Sequence, residues 1–142
     1  AREPDLDAVA DLFDQYRQFY EQAPDLPLAT AFIRARMQAS ESVILLAVNS
    51  GNEAVGFCQL YPSFCSVEAK PIYVLYDLFV APQGRRGGVG TALLRAAEAT
   101  ARANGKARMD LTTAKTNTAA QAAYEALGWV RDEVFFAYSK PV

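Results

Sequence analysis

Apolar positions recur along the chain with two periods, one helical and one of two residues. Leu6, Val9, Ala10, Phe13, Tyr16 and Tyr20 follow helical spacing. Glu3-Pro4-Asp5 opens that helix well, because proline suits a first turn and acids suit the positive end of the dipole. Pro24 and Pro27 are expected to break it, and a second short helix is predicted from about Leu28 to Gln38, carrying Phe32, Ile33 and Met37. Val43 to Val48 and Ala54 to Tyr61 are apolar runs flanking the turn Asn49-Ser50-Gly51-Asn52, which is the pattern of a hairpin. Pro62 to Lys70 reads as a loop and Ile72 to Val80 as a long strand. The loop Ala81 to Gly87 leads into an Ala-rich helix, about Gly88 to Asn104, closed by Asn104-Gly105. Arg108 to Thr113 reads as a strand, and Asn117 to Leu127 as a helix stopped by Gly128. Trp129 to Arg131 and Glu133 to Tyr138 read as the last strands. Strand, helix, strand implies at least one parallel pair, so the class is α/β (α+β) with a mixed sheet.

Composition narrows the chemistry. The 142 residues are 51% hydrophobic and carry no repeat or linker, which predicts a single domain, 1–142, with a sizeable core. A net charge of -2, with Lys and Arg spread along the chain, argues against a nucleic-acid partner. The absence of histidine removes Ser-His-Asp and Cys-His catalysis and every metal site with a His ligand. Two cysteines, Cys58 and Cys65, cannot build a zinc cage, so no metal is expected, and they read as buried or incidental thiols in a cytoplasmic protein. No apolar run approaches the ~20 residues of a membrane helix. No signal peptide is visible, and the opening Ala1-Arg2-Glu3 lacks Met, so residues ahead of Ala1 are expected.

The most informative stretch is Phe79-Val80-Ala81-Pro82-Gln83-Gly84-Arg85-Arg86-Gly87-Gly88-Val89-Gly90-Thr91. A strand ends, a Gly/Arg loop follows, and a helix begins at the glycines. Backbone N–H groups at such a junction converge, and the helix dipole adds positive potential. Gly88 and Gly90 lack Cβ, so a phosphate can approach closely, and Arg85 and Arg86 add full charges. The stretch reads as a pyrophosphate site. A P-loop would need Gly-Lys-Ser/Thr, and this loop has no lysine. A dinucleotide turn would need a third small residue where Leu93 stands, although Asp110 lies at about the right distance for a ribose acid. A turn that merely starts a helix is the plainer alternative.

Arg85-Arg86-Gly87-Gly88-Val89-Gly90 fits [Q/R]-x-x-G-x-[G/A], and in this context the chain resembles the GNAT superfamily of N-acetyltransferases. Leu78-Phe79-Val80-Ala81-Pro82 is similar to the family's strand into that loop. A second stretch, Asn117 through Ala120 and Tyr124 to Gly128-Trp129, fits the family pattern N-x-x-A-x-x-x-Y-x-x-x-G-F, with Trp129 for Phe. Asn117 and Tyr124 are two helical turns apart and share a face, with Ala120 between them. The plainer reading of Tyr124 is a core aromatic of an amphipathic helix. The resemblance is detailed from about Ile72 to Trp129 and holds only in outline before that. The family's first strand would precede Ala1 and is expected to be missing or truncated here.

The resemblance implies transfer of acetyl from acetyl-CoA to a primary amine by direct attack in a ternary complex. The acceptor classes left open are a small amine, a polyamine, and a protein lysine or N-terminus. It also implies a twisted mixed sheet with helices on both faces, whose fourth and fifth strands, here Ile72–Val80 and Arg108–Thr113, splay apart. The pantetheine arm is then expected on the free backbone of Leu78, Phe79 and Val80, where an N–H can also polarise the thioester carbonyl. The pyrophosphate is expected on Arg85, Arg86, Gly87, Gly88, Val89, Gly90 and Thr91. Asn117 is expected to contact the cofactor. Tyr124 is expected near the sulfur, as the acid that protonates the departing thiolate.

No base is assigned. The places where family members carry a strand Glu hold Val74, Tyr76 and Thr112. Strict alternation turns Asp77 to the face opposite Tyr76, and Asp110 shares the face of Thr112. The acceptor pocket is expected between the first two helices and the loop Pro62–Lys70, with Tyr16, Tyr20, Tyr61, Phe64, Tyr73 and Tyr76 as candidate walls. Glu21, Asp25 and Glu68 are candidate attractors for a cation. The apolar run Glu133 to Tyr138 suggests an edge covered in a homodimer. The competing class keeps the fold and the CoA site but loses turnover, as an acyl-CoA-binding module or sensor.

Overall fold

The computed structural model describes every residue from Ala1 to Val142. The chain divides into two compact units, Ala1–Leu111 and Thr112–Val142.

In the first unit, Glu3–Asp5 form a single 3-10 turn that runs into α1, Leu6–Phe19. Helix α2 spans Leu26–Gln38. Asp25 caps it by accepting from the Leu28 N–H at 3.1 Å, a contact worth about 1 kcal/mol. Pro27 therefore sits inside the helix rather than before it, in the first turn, where a missing N–H costs nothing. Strands β1 (Val43–Val48), β2 (Ala54–Cys65) and β3 (Lys70–Val80) follow. The expected loop at Pro62–Lys70 is mostly strand, closed by a turn at 66–69. Helix α3, Val89–Ala103, ends at Asn104. Gly105, at φ 69°, sends its N–H to the Arg102 carbonyl, and Lys106 sends its own to Ala101. This doubly bonded end needs a left-handed residue after the cap. Strand β4 is only Met109–Asp110.

The sheet order is β1-β2-β3-β4, antiparallel except for the parallel β3–β4 pair. Helices cover both faces. The Phe57 ring meets Phe13 and Tyr16 of α1 edge-on. Its neighbour Gly56 faces the other way, where Val89 and Leu93 of α3 press within 3.1 and 3.3 Å of the Cβ position. Leu6, Val9, Leu12 and Phe13 of α1, Ala29 and Ile33 of α2, and Ile44, Phe57 and Phe79 of the sheet form one core cluster. Leu93, Leu94, Ala97 and Ala101 make the buried stripe of α3.

Two irregularities shape the site. First, the strand expected over Arg108–Thr113 pairs only at Tyr73↔Met109 and Val74↔Asp110, so from Leu75 to Val80 no strand covers that edge of β3. Second, Gln59 pairs with Asp77 but Leu60 pairs with Leu75, which leaves Tyr76 as an extra residue in a β-bulge.

In the second unit, α4 spans Thr118–Ala126 and Gly128, at φ 91°, follows it. The strands expected at Trp129–Arg131 and Glu133–Tyr138 do not form. The Asp132 carboxylate takes the N–H groups of Val134 and Phe135, both at 3.1 Å, and a turn held by a side chain replaces the ladder.

Candidate active site

The turn between β3 and α3 is built to leave backbone N–H groups open. Gly84 anchors it: a Cβ there would lie 2.8 Å from the Val55 Cβ, so only glycine allows the turn to sit on β2. Its N–H bonds Ala81 O at 2.9 Å. Arg86 at φ 66° and Gly88 at φ 76° are both left-handed, a conformation that costs a non-glycine residue roughly 1–2 kcal/mol. Left-handed residues alternating with others turn successive N–H groups into one concavity. Gly88 is also the N-cap of α3 and carries no side chain to occupy the first-turn N–H groups of Val89, Gly90 and Thr91. A Cβ at Gly88 would meet nothing within 4 Å, so the space above the turn is open. Arg85 is partly engaged: its Nε donates to Val80 O at 3.1 Å.

Leu78, Phe79 and Val80 lie on the uncovered edge of β3 and lead directly into this turn. Phe79 points inward, buried against Tyr16, while Leu78 and Val80 are half-buried. The bond from Arg85 means that the Val80 carbonyl is already satisfied.

In the second unit, the Asn117 side chain caps α4, accepting from the Ala120 N–H at 3.2 Å. Asn117, Ala120, Tyr124 and Leu127 form its less exposed face. The Tyr124 ring lies 6.1 Å from that of Trp129, centroid to centroid.

A cleft of about 460 Å³ opens in the first unit between α1, α2 and the bulge. Tyr16, Tyr20, Tyr61 and Tyr76 line it, as expected. Two expected walls lie elsewhere. Phe64 is exposed on the extended hairpin, and Tyr73 is buried, its hydroxyl accepting from Asn104 Nδ2 at 2.7 Å. Glu21, Asp25 and Glu68 do not line the cleft either: Asp25 caps α2, and Glu68 pairs with Arg108.

Asp77 does line the cleft, beside Tyr76 rather than opposite it. The bulge cancels the alternation that would have separated the two. Gln59, fully buried, donates Nε2 to Asp77 Oδ2 at 2.6 Å, and the Ser42 hydroxyl donates to the side-chain Oε1 of Gln59 at 2.7 Å. The Tyr16 hydroxyl reaches Tyr76 O at a long 3.3 Å and also serves Asp77. Burial pushes the Asp77 carboxyl above its ordinary range, and the bonds from Gln59 and Tyr16 pull it partly back. Burial, then the Asp77 charge, drives the Tyr16 phenol upward and pushes Tyr61 up to about 12. Both tyrosines therefore stay neutral donors. Asp110, the other strand acid, is held in an exposed fork by Arg108 at 2.9 and 3.2 Å.

The acetyltransferase (GNAT) family model matches residues 6–129. An uncharacterised N-acetyltransferase, YhfO, of Bacillus subtilis (strain 168) is 48% identical over 138 residues, 97% of this chain and 92% of its own length. The crystal structure of a probable acetyltransferase superposes with a TM-score of 0.93 at 38% identity, covering 100% of this chain and 95% of that one. AAC(6')-Iy, in complex with the bisubstrate analog CoA-S-monomethyl-acetylneamine, shares the fold at 23% identity and a TM-score of 0.82, covering 100% of this chain and 95% of that one. With the family model matched over residues 6–129 and a relative 48% identical along nearly the whole chain, this chain belongs to the acetyltransferase (GNAT) family.

Proposed function

We propose that the protein transfers the acetyl group of acetyl-CoA to an amine by direct attack in a ternary complex. The observation that carries the reading is one strand: the uncovered edge Leu78–Val80 leads into the open glycine turn, and Asp77, the residue before that edge, faces the cleft. A cofactor along the edge and an acceptor in the cleft would meet at Asp77 and Leu78. AAC(6')-Iy, of the same fold, is described with a bound CoA bisubstrate analog, which supports a reaction in which cofactor and acceptor are held together.

Acetyl-CoA supplies the acetyl group as an activated thioester. The open N–H groups of Val89, Gly90 and Thr91, with Arg86, suit the pyrophosphate, and Leu78 to Val80 suit the pantetheine arm. Arg85 adds charge while holding the turn to Val80. Asn117 is assigned to the cofactor and Tyr124 to acid catalysis. Asp77 takes a proton from the acceptor ammonium, and a carboxyl raised by burial holds that proton more firmly than an exposed one would. The freed nitrogen forms the new C–N bond, the C–S bond breaks, and Tyr124 gives its proton to the departing sulfur. Bulk water returns a proton to Tyr124 and removes both the one on Asp77 and the second proton that the nitrogen sheds as the amide forms. The two free thiols and the use of CoA fit a cytoplasmic setting. No helix is long and apolar enough to cross a membrane.

A thiol-release assay with acetyl-CoA and a panel of amines tests the reading. Acetyl-dependent thiol release with at least one amine is expected. Tight acetyl-CoA binding with no release for any amine would instead favour the binding-module class.

A further inference from the structure

The cleft contains a cation that the acetyl-transfer reading does not use. Phe13, Tyr16 and Arg17 lie on one face of α1, Tyr20 caps its end, and all four line the cleft. The Arg17 guanidinium makes no ion pair and no hydrogen bond within the protein, and its Nη1 is shut off from water without a partner. A charged N–H stripped of water and left unmatched is unfavourable and calls for a function. Two carboxylates of this region are committed elsewhere. Asp14 accepts from Gln18 Nε2 and from the Asp25 N–H, one on each oxygen. Asp77 is held by Gln59. The cleft thus presents one unpaired cation and one buried carboxylate within a wall of tyrosines.

We propose that the acceptor is an amine that also carries a carboxylate, an amino acid in the broad chemical sense, and that Arg17 determines this specificity. The proposal rests on the acetyl-transfer reading and narrows its acceptor. The ammonium meets Asp77 and the tyrosine rings, which attract cations through their faces. The acceptor's carboxylate meets the planar guanidinium fork, which binds carboxylates through paired N–H groups. A polyamine offers nothing to Arg17 and is repelled by it. A protein lysine carries no carboxylate of its own beside the amine.

The test compares α- and ω-amino acids of several chain lengths with their amides and with alkylamines of the same length. In the wild-type enzyme, kcat/KM for the best amino acid is expected to exceed that of its amide and alkylamine by tenfold or more. Arg17→Met is expected to raise KM for that amino acid at least tenfold. It should leave kcat and the KM for acetyl-CoA nearly unchanged, and alkylamine turnover should hold or rise, because a like charge is removed. Arg17→Lys is expected to recover part of the loss, because it keeps the charge and loses the fork. Equal use of alkylamine and amino acid by the wild type would overturn the proposal while leaving acetyl transfer intact. An equal loss on both acceptor types in Arg17→Met, with an unchanged melting curve, would also overturn it. If Arg17→Met fails to fold, Arg17→Lys and the wild-type comparison decide. No acetylation of any compound, with acetyl-CoA bound by calorimetry, would remove both this proposal and the transfer reading.

Discussion

Gln59 and Asp77 face each other across β2 and β3, joined by a 2.6 Å hydrogen bond at the step where the strand register slips. The slip turns Asp77 into the same cleft as Tyr76, and the amide of Gln59 holds one carboxylate oxygen in place. A buried carboxyl, an aromatic cleft and an uncovered strand edge thereby come together within a few residues of one strand.

Replacing Asp77 separates activity from stability. Asp77→Asn keeps the size and an oxygen for Gln59 but cannot accept a proton. Amine acetylation is expected to fall ~10²-fold or more, within the range for a general base, and the limb of the pH profile that belongs to the carboxylate should vanish. Stability should move the other way. The folded-state value of Asp77 lies above that of the unfolded chain, so the folded protein holds this proton more tightly. The group is therefore harmless below the ordinary carboxyl value of about 3.9 and increasingly destabilising as pH rises towards the folded value. Urea melts at a series of pH values should show Asp77→Asn gaining stability over wild type across that window and keeping the gain above it. A variant with unchanged kcat/KM for amines would refute the role.

The glycine turn makes a second prediction. Gly90 is helical, its Cβ position touches only Val80 Cγ2 at 3.8 Å, and valine is a better helix former than glycine. Gly90→Val should therefore fold normally while crowding the pyrophosphate. Acetyl-CoA affinity is expected to drop at least tenfold, about 1.4 kcal/mol. Gly88→Val should lose as much affinity and some stability too, because valine resists φ 76° even though the space beside it is open. Unchanged affinity by calorimetry in folded protein would show that the turn does not hold the cofactor.

The helices and the glycine turn were legible because their signals are local. Period, caps and breakers placed α1, α3 and α4 within a residue or two, whereas the side-chain cap that Asn117 gives α4 appears only in the structure. The bulge at Tyr76 was not legible, since period-two alternation carries no mark of one inserted residue, and Asp77 was misplaced with it. Gly56 is required by Phe79 and Val89, and Gly84 by Val55, contacts between residues far apart in sequence. The expected C-terminal strands failed for a similar reason. An apolar run such as Val134 to Tyr138 becomes a strand only if a partner strand accepts it, and Asp132 turns its first N–H groups inward.

That same run predicts the oligomeric state. Phe135 and Phe136 are 82% and 88% exposed, and Val134 and Tyr138 are equally bare, a concentration of apolar surface that a partner would cover. A homodimer is expected by light scattering at micromolar concentration. Replacing both phenylalanines by serine should shift it to monomer. A wild-type monomer would refute the assignment.

Tyr124 decides how the thiolate leaves. Its ring sits beside Trp129 on the half-buried face of α4, so Tyr124→Phe should preserve that ring packing. If the hydroxyl protonates the sulfur, turnover should fall ~10²-fold. The KM for acetyl-CoA should move little, because the lost interaction belongs to the transition state. If Tyr124 only packs, Tyr124→Phe should be nearly silent and Tyr124→Ala should lower the melting temperature instead. The two outcomes separate most cleanly above the thiol pKa of about 8.5, where a thiolate is stable in water and needs no acid. There the deficit of Tyr124→Phe should shrink if the proton goes to sulfur. A deficit that stays constant with pH would point to a role for the hydroxyl in positioning, and a loss below threefold, with chemistry rate-limiting, would remove Tyr124 as the acid.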